Sequence, residues 1–316
     1  LSGNMIDVCP VGALTSKPFR FKARAWEMRS ADSIAPHDCL GSHVYIHTHD
    51  QQVMRVLPRE NEAINEVWLS DRDRYAYLGL KHEERLTDPM IRSETGWEKT
   101  DWSTAIAHAV QLLKKALNQQ EVSSLGGLVS PRATLEEMYL FQKLCRRLGS
   151  SNVDHRLHET DTRDQQYLPQ TPISDVSISD LEKSDFILLV GSNLQREQPL
   201  LTTRLRKAVN QGGKIISINC VNYDFSFAVA DKFIVPPEQL ASVVAKLVEH
   251  SESIKENDLT SEKDSLSQVA SQLKNAKRAV IVTGAVARNH PDAACLRYYL
   301  SRLASITAAK TMHLTE

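Results

Sequence analysis

The chain has 316 residues, with 38 Lys and Arg against 39 Asp and Glu. That length predicts two domains, and a formal charge of -1 with scattered basic residues excludes nucleic acid or an anionic membrane surface as the main partner. No apolar run approaches a membrane span, and the five widely spaced cysteines, Cys9, Cys39, Cys145, Cys220 and Cys295, exclude a secreted disulfide scaffold and fit a reducing compartment. The first residues carry no signal peptide, and Leu1 in place of an initiator methionine is expected to mark a fragment or a processed chain.

Residues 1–20 read L-S-G-N-M-I-D-V-C-P-V-G-A-L-T-S-K-P-F-R. In the last cysteine of a ferredoxin-type motif, a following proline ends local structure and holds the thiolate toward the iron, and Cys9-Pro10 has that form. Taken alone, a lone Cys-Pro is better explained by a buried turn cysteine, and no second cysteine stands near Cys9. The next stretch, P-H-D-C-L-G-S-H-V-Y-I-H-T-H-D, offers His37, Cys39, His43, His47 and His49 as zinc ligands by residue type. Their spacing argues against a metal. From His43 onward Val44 and Ile46 alternate with His43, Tyr45, His47 and His49, as in a half-buried strand with a polar outer face.

Three stretches carry a family resemblance: C-P-V-G-A-L-T-S-K-P-F, then A-R-A-W-E-M-R-S-A-D-S-I, then V-M-R-V-L-P-R-E-N-E-A-I-N-E-V-W-L-S-D-R-D-R-Y-A-Y. The chain resembles the large iron–sulfur subunit of respiratory NADH:quinone oxidoreductase (complex I), along its whole length and most specifically in the first 80 residues. The resemblance implies that Cys9 is the fourth ligand of a [4Fe–4S] cluster whose other three cysteines lie upstream of Leu1. Residues 24–79 are also similar to the small β domain that opens molybdopterin oxidoreductases. That domain often holds a second [4Fe–4S] cluster through C-x2-C-x3-C and a later cysteine. Here those positions are Ala35, Asp38, Ser42 and Ser70. Alanine cannot coordinate, and a hydroxyl or carboxylate is a poor ligand for a soft iron–sulfide core, so the resemblance implies a retained fold without its cluster. Cys39 is one residue out of register. If the space is closed, the four positions are expected to lie together, with Asp38 either accepting backbone N–H groups and a Ser42 or Ser70 hydroxyl or turning to solvent.

Beyond residue 84 the pattern changes to alternating strands and helices. Ser103 is expected to cap a helix with Ile106, Val110, Leu113 and Leu117 in its apolar stripe. A strand is expected within 126–131, and a second helix over 134–148 with Met138, Phe141, Leu144 and Cys145 inward. His155 and His158 fall in an irregular polar stretch that reads as structural. Phe186 to Val190 is an unbroken apolar run, as in a strand covered on both faces. A helix with Leu200, Leu201, Leu205 and Val209 follows Pro199, Gly212 and Gly213 stop it, and Ile215, Ile216 and Ile218 form the next strand. Residues 252–267 are expected to be a surface loop leading into a helix. Another buried strand is expected over 279–284, and a helix from about 291 to 303.

The fold class is therefore α/β: a small mostly-β domain followed by a doubly wound parallel sheet of molybdopterin oxidoreductase type. Residues 1–23 are expected to be the tail of a ferredoxin-like region, 24–84 the small domain, and 85–316 an incomplete α/β domain. Ligands on such sheets bind outside the carboxyl ends of strands, which places Gly191-Ser192-Asn193 where molybdenum relatives touch a pterin dinucleotide. A tight turn with Asn193 at positive φ explains the same residues without a ligand. No Ser-His-Asp set, Walker loop or complete G-x-G-x-x-G is present.

The resemblance implies a part of complex I in electron transfer from NADH to quinone. It implies 4Fe-4S in the full-length protein, no molybdenum, and no catalytic residue or complete cofactor in this stretch, which is expected to be inactive alone. Its partners would be other complex I subunits, including the flavin-carrying and neighbouring iron–sulfur subunits. Its place would be peripheral on the cytoplasmic face of the bacterial inner membrane or the matrix side of the mitochondrial one. The alternatives are a molybdopterin-dependent enzyme such as a formate dehydrogenase, disfavoured by the four lost ligands, and a zinc module resting on the histidine strand.

Overall fold

The computed structural model describes residues 1–119, 125–156, 158–168, 173–253 and 265–314. They form two compact units, one from Leu1–Tyr77 with Thr160–Glu316 and the other from Leu78–Glu159.

In the first unit a short helix, α1 (Asn4–Val8), precedes an antiparallel meander of β1 (Arg29–Ile34), β2 (His43–His49) and β3 (Gln52–Pro58). Asp50 and Gln51 join β2 to β3, both at positive φ (47° and 61°), the two-residue turn whose twist matches its strands. The alternation of β2 buries Val44, which packs with Ala35, Val56, Leu69 and Tyr77 in a small apolar core. Helix α2 (Asp71–Tyr75) starts at Ser70, whose hydroxyl oxygen accepts the Asp73 N–H at 3.1 Å.

The second unit carries a hairpin, β4 (Met90–Arg92) with β5 (Trp97–Lys99), then helix α3 (Trp102–Gln119). The cap of α3 is Asp101 rather than Ser103: its carboxylate accepts the Thr104 N–H at 3.0 Å and the Thr104 hydroxyl at 2.7 Å. A carboxylate placed just before the helix reaches the free N–H groups of the first turn, so the helix begins at Trp102. Strands β6 (Gly127–Leu128) and β7 (Val153–Asp154) pair in parallel around helix α4 (Leu135–Arg147), which opens on a capping box of Thr134 and Glu137. Cys145 is buried, and a Cβ on Gly127 would lie 2.8 Å from its Sγ, so strand and helix meet there without an intervening side chain. Leu144 is 52% exposed, Ile106 57% and Val110 42%, so three of the residues expected in the apolar stripes do not face inward.

Returning to the first unit, β8 (Phe186–Val190) runs through α5 (Leu194–Glu197) and α6 (Leu201–Asn210) to β9 (Lys214–Asn219) and β10 (Asp231–Ile234). The chain then passes through α7 (Leu240–Ser253) and α8 (Ser265–Asn275) to β11 (Ala279–Thr283), and through α9 (Ala285–Arg288) and α10 (Ala293–Thr307) to β12 (Lys310–His313). The loop expected after residue 252 includes 254–264, which lie outside the described residues. Strand order is β10-β9-β8-β11-β12, and all pairings are parallel. Alternate side chains of β8 serve opposite faces. Phe186, Leu188 and Val190 pack with residues of α7, α8 and α10, and Ile187 and Leu189 with Leu201, Leu205 and Ala208 of α6 and with Leu40 from the small-sheet segment. Burial on both faces is why this strand shows no polar alternation. Gly212, at φ 93°, and the Gly213 N–H, donated to Ala208 O at 2.9 Å, close α6. The sheet winds outward from β8 on one side and from β11 on the other, so its topological switch point lies between their carboxyl ends, at Gly191 and Gly284.

Candidate functional site

Three places hold the residues singled out from sequence. The first is the turn after α1, where Cys9 is half-buried and its thiol is drawn below the usual range by the Leu14 N–H, with Val11, Ala13 and Gly12 adding to it against a smaller desolvation. Gly12, at φ 65°, lets this turn fold back. The same segment walls a cavity of about 370 Å³ lined by residues including Asp7, Leu14, Phe19, Arg55 and Arg74. Arg74 is buried, pairs with Asp7 and donates to Asn4 Oδ1 at 3.2 Å. Among the described residues no group of three His, Cys, Asp or Glu stands close enough to hold a metal ion. Cys9 thus supplies one thiol, and the described residues do not by themselves fit a four-thiolate cluster.

The histidines of the small domain do not converge. His37 Nδ1 meets Asp73 at 2.7 Å, His43 meets Arg59 at 2.7 Å, His47 accepts from Arg55 Nε at 3.1 Å, and His49 meets Glu27 O at 3.0 Å. Burial, with the Arg55 charge behind it, lowers the His47 imidazole further from protonation. Each ring meets a different neighbour, and among the described residues no three of these groups stand together as a ligand set.

The second place is the loop after β1. The Ala35 N–H donates to Ser42 O at 2.8 Å, and Ala35 shares an apolar core with Leu69, next to Ser70. Ser70 donates to Asp73 Oδ2 at 2.6 Å, and Asp73 Oδ1 faces His37, so α2 is tied back to the loop that carries Asp38. Asp38 accepts the Leu40 N–H at 3.1 Å and Arg72 Nη2 at 3.3 Å. The expected serine partners of Asp38 are not used: Ser70 is committed to Asp73, and the fully buried Ser42 hydroxyl has no partner among the described residues. Cys39 is exposed, with its Sγ 3.9 Å from Gln198 Nε2. Asp73 and Arg72, which organise this loop, were not singled out from the sequence. The Ser70-x-x-Asp73 spacing at a helix start was the available signal.

Burial raises the Asp38 carboxyl above the ordinary carboxylate range. Asp73 adds to the rise, and the Leu40 N–H and Arg72 oppose it. A raised carboxyl favours the unfolded state at neutral pH, and that cost is relieved as pH falls through the folded value. Asp38→Asn is therefore expected to stabilise the protein at pH 7, with the gain vanishing below the unfolded carboxyl range near about pH 4. Urea denaturation of both proteins at pH 7 and pH 4 checks the sign, and a loss of stability at pH 7 would show that the Arg72 pair outweighs desolvation.

The third place is the switch point. Gly191 has φ 57°, and Asn193 has φ -110°, so the left-handed residue of this turn is the glycine and not the asparagine. A Cβ on Gly191 would fall 2.5 Å from Ala287 N, and one on Gly284 would fall 2.3 Å from Ser192 Cβ. The two strand-end turns therefore pass one another as bare backbone. The Ser192 N–H donates to Asn219 Oδ1 at 2.8 Å, and Asn219 Nδ2 returns a bond to Ser192 O at 3.2 Å. Glu197 lies across the gap, accepting the Asn193 N–H at 3.0 Å and the Ala285 N–H at 3.3 Å. Arg72 Nη2 holds Glu197 O at 3.1 Å. The sequence reading missed Glu197 and Gly284. A glycine closing each of two buried strands was a signal for Gly284, whereas nothing local marks Glu197.

The chain matches the family Molybdopterin oxidoreductase over residues 85–313. The chain belongs to that family. Residues 28–78 match the NADH-ubiquinone oxidoreductase NDSU1/NuoG-like 4Fe-4S domain. Curated relatives include the NADH-ubiquinone oxidoreductase 75 kDa subunit of Reclinomonas americana, 36% identical over 270 residues that cover 80% of this chain and 36% of the relative. The corresponding NADH-quinone oxidoreductase chain of Rickettsia felis is 41% identical over 67% of this chain and 31% of its own length. The mitochondrial NADH dehydrogenase iron-sulfur protein 1 of Solanum tuberosum is 36% identical over 90% of this chain and 35% of its own length. The chain thus spans about a third of the length of these relatives. Among solved structures, acetylene hydratase from Pelobacter acetylenicus shares the fold with a TM-score of 0.64 at 14% identity, over 88% of this chain and 43% of that one. Among the described residues no helix is long and apolar enough to cross a membrane.

Family membership implies a pterin cofactor, and the switch point does not fit one. Its main-chain donors are already committed within the chain.

Proposed function

We propose that this chain is part of the large iron–sulfur subunit of NADH:quinone oxidoreductase and serves electron transfer from NADH to quinone within that complex. In this reading Cys9 is the fourth thiolate of a [4Fe–4S] cluster in the full-length protein. Such a cluster, when bound, supplies one-electron transfer. What supports the reading is the match of residues 28–78 to the NADH-ubiquinone oxidoreductase NDSU1/NuoG-like 4Fe-4S domain, together with relatives 36% and 41% identical, while the Leu14 N–H draws the Cys9 thiol below its usual range. Hydrogen bonds of that kind also tune the potential of a cluster sulfur. The remainder acts as a scaffold of the peripheral arm without a cofactor of its own. It contacts the flavin-carrying and neighbouring iron–sulfur subunits on the cytoplasmic or matrix side. The four positions Ala35, Asp38, Ser42 and Ser70 are a former ligand set whose space is now bridged by the His37–Asp73 and Arg72–Asp38 contacts.

Iron content and low-temperature electron paramagnetic resonance of the assembled complex test this. Cys9→Ser is expected to remove one [4Fe–4S] signal and its share of the iron, and Cys39→Ser to remove neither. The purified 316-residue chain is expected to stay colourless after anaerobic reconstitution. An unchanged spectrum for Cys9→Ser, or a stoichiometric cluster on the chain alone, would overturn the reading.

A further inference from the structure

A dinucleotide held at the switch point of an open parallel sheet needs two things: free main-chain N–H groups for its phosphates, and room for the backbone to approach them. Both can be counted here. The Gly191 N–H goes to Ile218 O at 2.9 Å, the Ser192 N–H to Asn219 Oδ1 at 2.8 Å, and the Asn193 N–H to Glu197 Oε1 at 3.0 Å. On the opposite turn, the Gly284 N–H goes to Val190 O at 3.0 Å and the Ala285 N–H to Glu197 Oε2 at 3.3 Å. The Val286 and Ala287 N–H groups both go to Gly191 O, at 3.0 and 3.3 Å. Every main-chain donor of 191–193 and 284–287 is therefore spent on the chain itself. The room is gone as well, because each glycine lies where even a methyl group would meet the other turn.

We propose that Glu197 is an internal counter-anion: its carboxylate bridges the Asn193 and Ala285 amides, staples the β8 turn to the β11 turn, and keeps the switch-point crevice closed to nucleotide phosphates. One carboxylate accepting from both turns is the arrangement a bridging phosphate oxygen pair would adopt, with the charge tethered by α5 instead of diffusing in. The tether is itself held, since Arg72 grips Glu197 O and Cys39 meets the side chain of Gln198. The segment bearing the substituted loop thus positions the residue that shuts the crevice. A pyrophosphate would have to displace the carboxylate against like-charge repulsion and separate two packed backbones.

Hydrogen exchange of the full chain, read by mass spectrometry on peptides covering 191–198 and 284–289, tests the staple. In the unaltered protein, millimolar inorganic pyrophosphate or guanosine diphosphate is expected to leave exchange in both peptides unchanged. In Glu197→Ala, exchange at Asn193 and Ala285 is expected to rise about tenfold, the size of losing a charge-assisted hydrogen bond. The strands β8 and β11 should keep their protection. Glu197→Gln keeps one acceptor oxygen and should release one of the two amides, which serves if the alanine variant does not fold. Protection of either peptide by pyrophosphate or the nucleotide in the unaltered protein would overturn the proposal. So would unchanged exchange at both amides in both variants. Neither arm involves Cys9, so the outcome is independent of the cluster reading.

Discussion

Gly284→Ala will destabilise the protein by about 3 kcal/mol, the upper end for overpacking a filled interior. The added methyl would lie 2.3 Å from Ser192 Cβ, 2.5 Å from Ser192 Cα and 2.7 Å from Gly191 O, and two of these are backbone atoms that cannot rotate away. Gly284 itself is extended, at φ -98° and ψ -175°, so the penalty is steric and not conformational. Gly191→Ala should cost about 1 kcal/mol more, because it adds a left-handed φ of 57° to a contact 2.5 Å from Ala287 N. Gly212→Ala is the control. Its φ is 93° but nothing lies within 4 Å of the new methyl, so only the conformational cost of about 1 kcal/mol remains. Urea unfolding of the three variants orders them. Equal losses at 212 and 284 would mean that the two strand-end turns are not in contact.

Arg204→Ala will cost about 3 kcal/mol, because it removes the buried guanidinium shared by Glu66 and Glu182 and leaves the Glu62 carbonyl without that donor. Arg204 is 3% exposed and pairs with Glu66 at 2.7 Å and Glu182 at 3.1 Å, and it also donates to the Glu62 carbonyl. Lys207 pairs with Glu66 too, but its side chain is 44% exposed and cannot replace a buried fork. The exposed pair Arg302–Glu252 gives the contrast: Arg302→Ala should cost under about 1 kcal/mol. Burial alone would push the Glu66 carboxyl up, but the Lys207 hydrogen bond and the Arg204 charge bring it below its ordinary value. The stabilisation from Glu66 is therefore complete above the unfolded carboxyl range and lost as pH falls through the lower folded value. Guanidinium melts between pH 7 and pH 3 should show a smaller acid-induced loss in Glu66→Gln than in the unaltered protein. Parallel losses in the two would remove Glu66 from the acid response.

The sequence is readable where burial is nearly complete. The runs Phe186–Val190 and Ala279–Thr283 declare strands buried on both faces, since no charged side chain interrupts them and the hydrophobic effect acts on nearly every position. The alternation of Val44 and Ile46 with histidines gives a half-covered strand for the same reason. Helix starts carry several competing signals. Asp101, Ser103 and Thr104 all have capping chemistry, and the choice of Asp101 is set by which oxygen reaches a free N–H. Leu144 was assigned inward from helical spacing, yet it is exposed, because spacing defines a stripe and not its edge. The charged residues of the switch point and of the Arg204 network gave no local signal. Glu197 meets Ala285 across 88 positions, and Arg204 meets the Glu62 carbonyl across 142. In sequence such residues look like solvated surface, and only the strand order brings them to their partners.

The first unit is assembled from two separated stretches, Leu1–Tyr77 and Thr160–Glu316, with Leu78–Glu159 inserted between them. During synthesis the small meander leaves the ribosome long before Arg204 and Glu197 exist. At about 5–20 residues per second, roughly ten seconds pass before the grip on its Glu66 and Arg72 can close. Until then Leu40 and Trp68, which pack against the parallel sheet in the finished protein, have no sheet to cover. The inserted unit therefore separates the synthesis of the meander from that of its partners. Any pause in translation across it lengthens the interval in which an unfinished sheet is open to chaperones and to pairing with other nascent chains.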